Sequence, residues 1–202
     1  MPDRIGIFGG TFDPPHLGHL ILAAEARAQL GLRRLLWVLT PTPPHKLHQP
    51  VSSLDERLGM LRLAVEGEPA FELSTVEIDR PGPHYTLHTL NLLAGQYPGA
   101  HLILLLGGDS LRDLPEWHRP ADLVAACHEI GVMRRPGNSI ELPALEAQIP
   151  GLTAKVRFVD APLLEIASRG IRQRVLNRLP FRYYLLPSVY QYVIAHGLYQ
   201  EA

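Results

Sequence analysis

Short apolar runs alternate along the chain with longer segments in which apolar residues recur at helical spacing. The short runs predict strands at residues 4–8, 35–39, 71–78, 101–106, 129–133 and 156–159. The longer segments predict helices at residues 17–30, 53–65, 86–96, 121–126, 168–179 and 187–196. Alternating strands and helices are typical of a mostly parallel sheet that is covered on both faces. The pattern therefore predicts an α/β protein, in which 71–78 is an edge or half-buried strand.

Turn and capping residues place the ends of several predicted helices. Gly31 lies where the first helix should stop, and the sequence Ser-Leu-Asp-Glu at 53–56 matches a capping box. Thr86 is suited to cap the helix that follows it. Residues 137–151 have the weakest pattern. Because no repeat or linker divides the chain, we expect one domain over residues 1–202, with helices at about 163–202 forming a small C-terminal part.

The composition restricts the classes of protein to which the chain can belong. Hydrophobic residues make up 46% and charged residues 19% of the chain, as in globular proteins. The formal net charge of −1 provides no basic field for nucleic acid, so anions must be bound by local donors. Cys127 is the single cysteine, which excludes an intrachain disulfide and a Cys-rich zinc site. No run approaches the roughly 18 apolar residues of a membrane span, and we expect a cytoplasmic protein without membrane or nucleic-acid partners.

The segment after the first predicted strand carries the strongest indication of chemistry. It reads Gly6-Ile-Phe-Gly-Gly-Thr-Phe-Asp-Pro-Pro-His-Leu-Gly-His19. Ligands of doubly wound sheets bind at the carboxyl ends of strands, where Gly9 and Gly10 would let a phosphate approach main-chain amides. A helix begins behind them, and its N-terminal N–H groups favour anions. His16 and His19 lie at that start, so both imidazoles can face one triphosphate.

Other interpretations of this segment compete with nucleotide binding. A P-loop requires Gly-x4-Gly-Lys-Ser/Thr and a dinucleotide fingerprint requires Gly-x-Gly-x-x-Gly, and neither pattern fits. The histidine pair could instead bind a metal ion with Asp13, or lie on a polar surface without a ligand. The combination of a strand, two glycines and paired histidines favours nucleotide binding.

The same segment resembles the His-x-Gly-His signature of the nucleotidyltransferase superfamily of adenylyl- and cytidylyltransferases. It is most similar to bacterial nicotinate mononucleotide adenylyltransferases, in which Gly-Gly-Thr-Phe-Asp-Pro precedes the histidines. The resemblance implies a Rossmann-like, doubly wound fold, direct attack on the α-phosphate of ATP, and dependence on Mg²⁺. We expect the ion to be held mainly by substrate phosphates, with no metal site built from protein side chains.

Further stretches resemble motifs of the same family, so that the similarity extends over nearly the whole chain. They are Pro43-Pro-His-Lys46, Tyr85-Thr86, Gly107-Gly-Asp-Ser110, Pro115-Glu-Trp-His118, Arg134-Arg-Pro-Gly137 and Ile166-Ala-Ser-Arg-Gly-Ile-Arg172. By this similarity Trp117 stacks on the nicotinate ring and Thr86 contacts the acceptor. Ser168 offers a hydroxyl, and Arg172 a charged fork, to the β- and γ-phosphates.

Carried over residue by residue, the resemblance implies a site with three sets of residues. The catalytic set is His16, His19, His45, Lys46 and Arg172. The ATP-binding set is Gly9, Gly10, Thr11, Phe12, Gly107, Asp109, Ser168 and Arg172. The acceptor-binding set is Thr40, Lys46, Thr86, Trp117 and Arg135. Two members have plainer interpretations, because Asp109 could merely cap a short helix and Lys46 could lie in an ordinary exposed loop.

The chain departs from the family pattern at several positions. Ala167 stands in the place of a serine, which removes one hydroxyl donor to phosphate. Arg169 replaces a threonine and could supply compensating charge. Thr40 stands where asparagine is often found, which weakens its assignment to the acceptor, and His84 replaces a serine. None of these changes removes the central histidines.

Together these features predict an enzyme that transfers AMP from ATP to nicotinate mononucleotide, giving the deamido form of NAD and pyrophosphate. The acceptor phosphate has a second pKa of about 6, so no strong general base is needed. Positioning of two anions and neutralisation of the leaving pyrophosphate would carry the catalysis. The alternatives are a sister transferase acting on phosphopantetheine and a non-catalytic nucleotide sensor or metal-binding protein. The sequence leaves the oligomeric state open, including a homo-oligomer.

Overall fold

A six-stranded parallel sheet forms the centre of the computed structural model, which describes residues 2–42, 51–133, 140–162 and 164–200. The strands are β1 (Arg4–Gly10), β2 (Arg34–Leu39), β3 (Phe71–Ser74), β4 (His101–Gly107), β5 (Glu129–Met133) and β6 (Val156–Val159). Their order is β3-β2-β1-β4-β5-β6, and every neighbouring pair is parallel. This order puts a topological switch point between β1 and β4. The predicted doubly wound, Rossmann-like α/β fold is confirmed.

One predicted strand is longer in the sequence pattern than in the structure. The alternation over 71–78 predicts an extended segment, but the edge strand β3 ends at Ser74. The chain turns there because the Asp79 N–H donates to the Thr75 carbonyl oxygen and the Thr75 hydroxyl donates to the Asp79 carboxylate at 2.7 Å. The turn places Glu77, which is 4% exposed, inside the protein. The alternation over 71–78 is typical of a half-exposed strand, so it gives no indication that the Glu77 carboxyl group is buried.

Helices connect the strands and complete the C-terminal part of the described chain. They are α1 (Leu17–Gln29), α2 (Leu54–Val65), α3 (Thr86–Gln96), α4 (Gly108–Arg112), α5 (Pro120–Ala126), α6 (Leu142–Gln148), α7 (Leu152–Lys155), α8 (Ser168–Leu176) and α9 (Pro187–Ala195). Short 3₁₀ turns occupy Leu114–Glu116 and Arg182–Tyr184. The helix α6 lies in the weakly patterned region, for which the sequence predicts none.

Two helix ends have the stop and capping residues that the sequence predicts. Gly31 takes a φ of 59° after α1, and Leu32 N donates to the Arg27 carbonyl oxygen at 2.9 Å, which closes the helix end. At the start of α2, Glu56 N donates to the Ser53 hydroxyl and Ser53 N donates to the Glu56 carboxylate. This reciprocal pair is the predicted capping box.

Two other helix starts differ from the prediction. Tyr85 is the N-cap of α3, and Thr86 is the first residue inside the helix. Gly107 is the N-cap of α4, and Asp109 lies in the first turn without capping it. The capping interpretations of Thr86 and Asp109 are therefore wrong. Both side chains instead line a cavity that is described below.

Apolar side chains pack on both faces of the sheet. One cluster combines alternate residues of β1 and β4, such as Ile7 and Leu104, with α3 and α5. A second cluster combines Phe8 and Trp37 with α1 and part of α2. The helices α8 and α9 bury a third cluster against α2. None of the described helices combines the length and apolar character that a membrane crossing requires.

Candidate active site

A cavity of about 370 Å³ opens at the carboxyl ends of β1 and β4, beside the switch point where doubly wound sheets bind ligands. Its walls include every predicted site residue that lies in the described ranges. These residues are Gly9, Gly10, Thr11, Phe12, His16, His19, Thr40, Thr86, Gly107, Asp109, Trp117, Ser168 and Arg172. His45, Lys46 and Arg135 lie outside the described residues. The fold thus brings residues from six separate stretches of sequence together, and the role of each residue is still a prediction.

Gly9 and Gly10 end β1 and lead into the glycine turn, and each is required for a different reason. A Cβ on Gly10 would lie 2.9 Å from the Phe12 ring, so a side chain at this position would force the buried ring to move. A Cβ on Gly9 would meet no atom within 4 Å, and Gly9 lines the cavity. The missing side chain of Gly9 therefore leaves room for a ligand against the backbone. Phe12 takes a φ of 48°, a backbone conformation that is uncommon for residues other than glycine.

His16 and His19 stack at the start of α1, with ring centroids 3.6 Å apart and ring planes 20° apart. The His16 backbone N–H donates to Nδ1 of His19 at 3.2 Å. Because Nδ1 accepts this bond, the neutral His19 ring carries its proton on Nε2, as a donor. The rings of Phe8 and Phe12 pack edge-on against His19, at centroid distances of 5.9 and 5.2 Å. The orientation and the tautomer of His19 are both fixed by its surroundings.

Asp13, in the same turn, is 3% exposed and is held by groups from three distant parts of the chain. The Tyr199 hydroxyl donates to Oδ1 at 2.7 Å, and the Ser52 backbone N–H donates to Oδ2 at 3.2 Å. Nη1 of Arg172 donates to the Asp13 carbonyl oxygen at 2.7 Å and lies 3.8 Å from Oδ2. The described residues contain no group of three His, Cys, Asp or Glu suited to a metal ion. The Asp13 carboxylate is therefore held in place by hydrogen bonds and charge from distant parts of the fold.

Arg57 on α2 is a central residue of this region that the sequence does not reveal. It is 2% exposed and donates to the carbonyl oxygens of Thr11, Thr40, Pro41 and Ser52 at 2.7–3.3 Å. These bonds fasten the segments that follow β1 and β2 to the start of α2. A charged residue in an amphipathic helix predicts an exposed side chain, so no sequence signal marks Arg57 as buried.

The start of α8 lies against the turn after β1. The Ser168 hydroxyl donates to the Pro14 carbonyl oxygen at 2.9 Å, beside the contacts between Arg172 and Asp13. Ala167 is the N-cap and supplies no side-chain hydrogen bond, which is the structural consequence of its departure from serine. Because helix starts favour anions, α1 and α8 together give this part of the cavity a positive character.

The residues predicted to bind the acceptor come from other elements. Thr40 follows β2 directly, Thr86 begins α3, and Trp117 follows the 3₁₀ turn after α4. Trp117 is partly buried, packs against the core cluster beneath α3 and α5, and also lines the cavity. A partly buried indole in a cavity wall can stack on a flat ring. Asp109 is partly exposed in the same cavity, with Nη2 of Arg112 3.6 Å from its carboxylate.

Two buried titratable residues of the cavity wall, Glu77 and His84, are not apparent in the sequence. The Thr89 hydroxyl donates to Oε1 of Glu77 at 2.6 Å. Burial raises the pKa of Glu77, and hydrogen bonds from Thr89 and Thr40 and the charge of Arg80 oppose the rise. Burial and then the charge of Arg80 lower the pKa of His84. Both shifts disfavour the charged form of the side chain.

Replacing Glu77 with glutamine is expected to stabilise the protein at pH values above the ordinary pKa of a glutamate, and not below it. The folded state raises the pKa of Glu77 above its ordinary value of 4.5, so its contribution to stability is complete below that value and is lost as the pH rises through the folded pKa. Glutamine keeps an acceptor for Thr89 but cannot ionise. Free energies of unfolding from urea titrations at about pH 4 and about pH 8 measure the effect. The exposed Glu66→Gln is the control, and an equal gain at both pH values for Glu77→Gln would contradict the assignment.

The doubly wound sheet, the glycine turn and the paired histidines define an α/β protein of the nucleotidyltransferase class. The model of the cytidylyltransferase-like family matches residues 7–174. "Nicotinate-nucleotide adenylyltransferase" of Bacillus subtilis is 38% identical over 198 residues, which are 98% of this chain and 99% of that protein. "Probable nicotinate-nucleotide adenylyltransferase" of Thermomicrobium roseum is 44% identical over 197 residues, 98% of this chain and 92% of that protein. The chain belongs to the family of nicotinate-nucleotide adenylyltransferases.

Solved structures share the fold at low sequence identity. The nicotinic acid mononucleotide adenylyltransferase of Plasmodium falciparum complexed with NaAD has a TM-score of 0.81 and 18% identity, over 98% of this chain and 97% of that chain. The same protein complexed with APC has a TM-score of 0.78. At this identity the likeness establishes the architecture, which agrees with the strand order described above.

Proposed function

We propose that this chain transfers AMP from ATP to nicotinate mononucleotide, forming nicotinate adenine dinucleotide and pyrophosphate. The observation that carries the proposal is that a glycine turn, the stacked pair of His16 and His19, and Trp117 surround one cavity. Anion donors suit a triphosphate, and an indole suits a pyridine ring. The names of the relatives described above support the same reaction.

The proposed reaction requires alignment more than acid–base chemistry. An oxygen of the acceptor phosphate attacks the α-phosphorus of ATP, the bond to the β-phosphate breaks, and pyrophosphate leaves with the bonding electrons. The acceptor phosphate, with a second pKa of about 6, is already ionised near neutral pH. No side chain therefore has to remove a proton. The protein has to hold two anions in line and offset the charge that builds on the leaving group.

In this proposal the ATP tail lies between the starts of α1 and α8. Nε2 of His19 donates to a phosphate oxygen, with His16 beside it, and the backbone at Gly9 and Gly10 permits close approach. Ser168 and Arg172 bind the β- and γ-phosphates. Their donors contact the carbonyl oxygens of Pro14 and Asp13 in the structure, so these hydrogen bonds would be exchanged or shared on binding.

The remaining roles complete the two substrate sites. Asp109 and Gly107 bind ATP, with Asp109 accepting from the ribose. We assign the acceptor to residues from three parts of the cavity and to residues outside the described ranges. They are Thr40, Lys46, Thr86, Trp117 and Arg135, with His45 beside Lys46 as a further phosphate donor.

Mg²⁺ accompanies ATP in this proposal. Phosphate oxygens are ligands that Mg²⁺ prefers, with the rest of its coordination supplied by water and at most a carboxylate or two. We place the ion on the triphosphate and not on a site built from protein side chains. When bound, it neutralises part of the phosphate charge.

A turnover assay with a panel of acceptors tests the proposal. Nicotinate mononucleotide, nicotinamide mononucleotide and phosphopantetheine are each incubated with ATP and Mg²⁺, and pyrophosphate release is measured. We expect the highest kcat/KM with nicotinate mononucleotide. Turnover with phosphopantetheine alone would overturn the acceptor assignment. Binding of ATP without pyrophosphate release from any acceptor would indicate a sensor.

Replacing Trp117 with alanine is expected to raise the acceptor KM by about tenfold to a hundredfold, with the KM of ATP nearly unchanged. Stacking of a flat ring on an aromatic side chain is worth about 1–3 kcal/mol. Steady-state kinetics with each substrate varied in turn measure both constants. Trp117→Phe, which keeps an aromatic surface and the core contact, should recover most of the affinity. An unchanged acceptor KM in Trp117→Ala would remove this residue from the site.

A further inference from the structure

The last described residues of the chain reach back to the turn that carries the histidines. Tyr199, which packs against the apolar cluster of α2, α8 and α9, donates its hydroxyl to Oδ1 of Asp13 at 2.7 Å. Asp13 is separated from His16 by two prolines only. A single hydrogen bond between residues 186 positions apart therefore links the end of the chain to the segment that presents the imidazoles.

The two oxygens of the Asp13 carboxylate have different partners. Oδ2 receives the Ser52 N–H and faces Arg172 at 3.8 Å, whereas Oδ1 is held by Tyr199. Burial, followed by the charge of Asp13, raises the pKa of the Tyr199 phenol, so the phenol stays protonated and remains a donor. If Arg172 turns towards a triphosphate, Asp13 loses part of its charge compensation. Tyr199 and the buried Arg57 then remain to stabilise it.

We infer that Tyr199 is a positioning residue, which acts through Asp13 to hold the histidine turn in place and to keep Asp13 hydrogen-bonded while Arg172 binds phosphate. This inference rests on the proposed function, because it assigns Arg172 to the triphosphate. Tyr199 itself touches no reacting atom. Its effect should therefore appear in turnover, where the alignment of the imidazoles matters, and much less in the KM of the acceptor.

Tyr199→Phe is the direct test, because it removes the hydroxyl and keeps the ring that packs in the cluster. We expect kcat to fall about tenfold, as hydrogen bonds to charged groups are among the stronger ones, and the acceptor KM to stay within about twofold. Tyr192→Phe is the matched control, since Tyr192 packs in the same cluster and takes no part in the contact with Asp13. It should keep the wild-type kcat.

Asp13→Asn supplies a second variant of almost unchanged shape and completes a double-mutant cycle. If Tyr199 acts through Asp13, Asp13→Asn alone lowers kcat, and adding Tyr199→Phe to it lowers kcat little further. A wild-type kcat in either folded single variant would overturn the inference. So would an equal loss from Tyr199→Phe in both backgrounds, which would mean that the Tyr199 hydroxyl acts independently of Asp13. An inactive wild-type enzyme would instead count against the proposed function, and the cycle would then be measured on the thermal shift produced by ATP.

Discussion

Replacing His19 with alanine is expected to lower kcat for nicotinate mononucleotide by about a hundredfold to a thousandfold. A preorganised donor aimed at developing charge is worth about this much when it is removed. His19 is preorganised here because its Nδ1 accepts the His16 N–H and its ring stacks on the His16 ring, with centroids 3.6 Å apart. The rings of Phe8 and Phe12 also pack edge-on against it. Its Nε2 proton thus needs no reorientation when the triphosphate arrives.

The loss of His19 also removes a cap from α1, so two effects have to be separated. His19→Gln offers a side chain that can accept the His16 N–H, as glutamine does at this position of a capping box. We expect His19→Gln to melt close to the temperature of the wild type, whereas its kcat stays as low as that of His19→Ala. His196→Ala, an exposed histidine beyond α9, serves as the control for loss of an imidazole. Full turnover in a folded His19→Ala protein would refute the assignment of ATP to this turn.

The sheet could be predicted from the sequence because its strands are buried. Runs such as 35–39 and 101–106 are apolar throughout, as strands covered on both faces must be, and the helices between them follow the 3.6-residue period. The predicted edge strand is confirmed as an edge strand, and only its length is wrong. There β3 ends early because Thr75 and Asp79 bond to each other, and local side-chain bonds of this kind leave no trace in a hydrophobic pattern.

The same contrast applies to the site. Its short motifs could be predicted because each is continuous in sequence and each follows a strand or begins a helix, where a doubly wound sheet gathers ligand-binding residues. The residues that support these motifs could not be predicted. Arg57, Glu77 and Tyr199 are polar side chains whose burial depends on partners far away along the chain. No local pattern distinguishes them from the exposed charged and aromatic residues beside them.

Replacing Arg57 with methionine is expected to lower the free energy of unfolding by about 3–5 kcal/mol. Removing one partner of a buried ionic network costs about this much, because the charge that remains is left uncompensated. Burial lowers the pKa of the Arg57 guanidinium, and the negative charge of Asp13 is the main opposing effect, so Asp13 and Arg57 depend on each other. The substitution also leaves four carbonyl oxygens without their donor.

Urea unfolding compares Arg57→Met with Arg62→Met, which removes an exposed arginine from the same helix. Arg57→Lys keeps the charge but cannot reproduce the planar fork that reaches the segments after β1 and β2. We therefore expect Arg57→Lys to lie between wild type and Arg57→Met, and to provide the measurement if the methionine variant does not fold. If Arg57→Met were no less stable than Arg62→Met, the four carbonyl contacts would not hold these segments together. The site would then owe its shape to the sheet and the glycine turn alone.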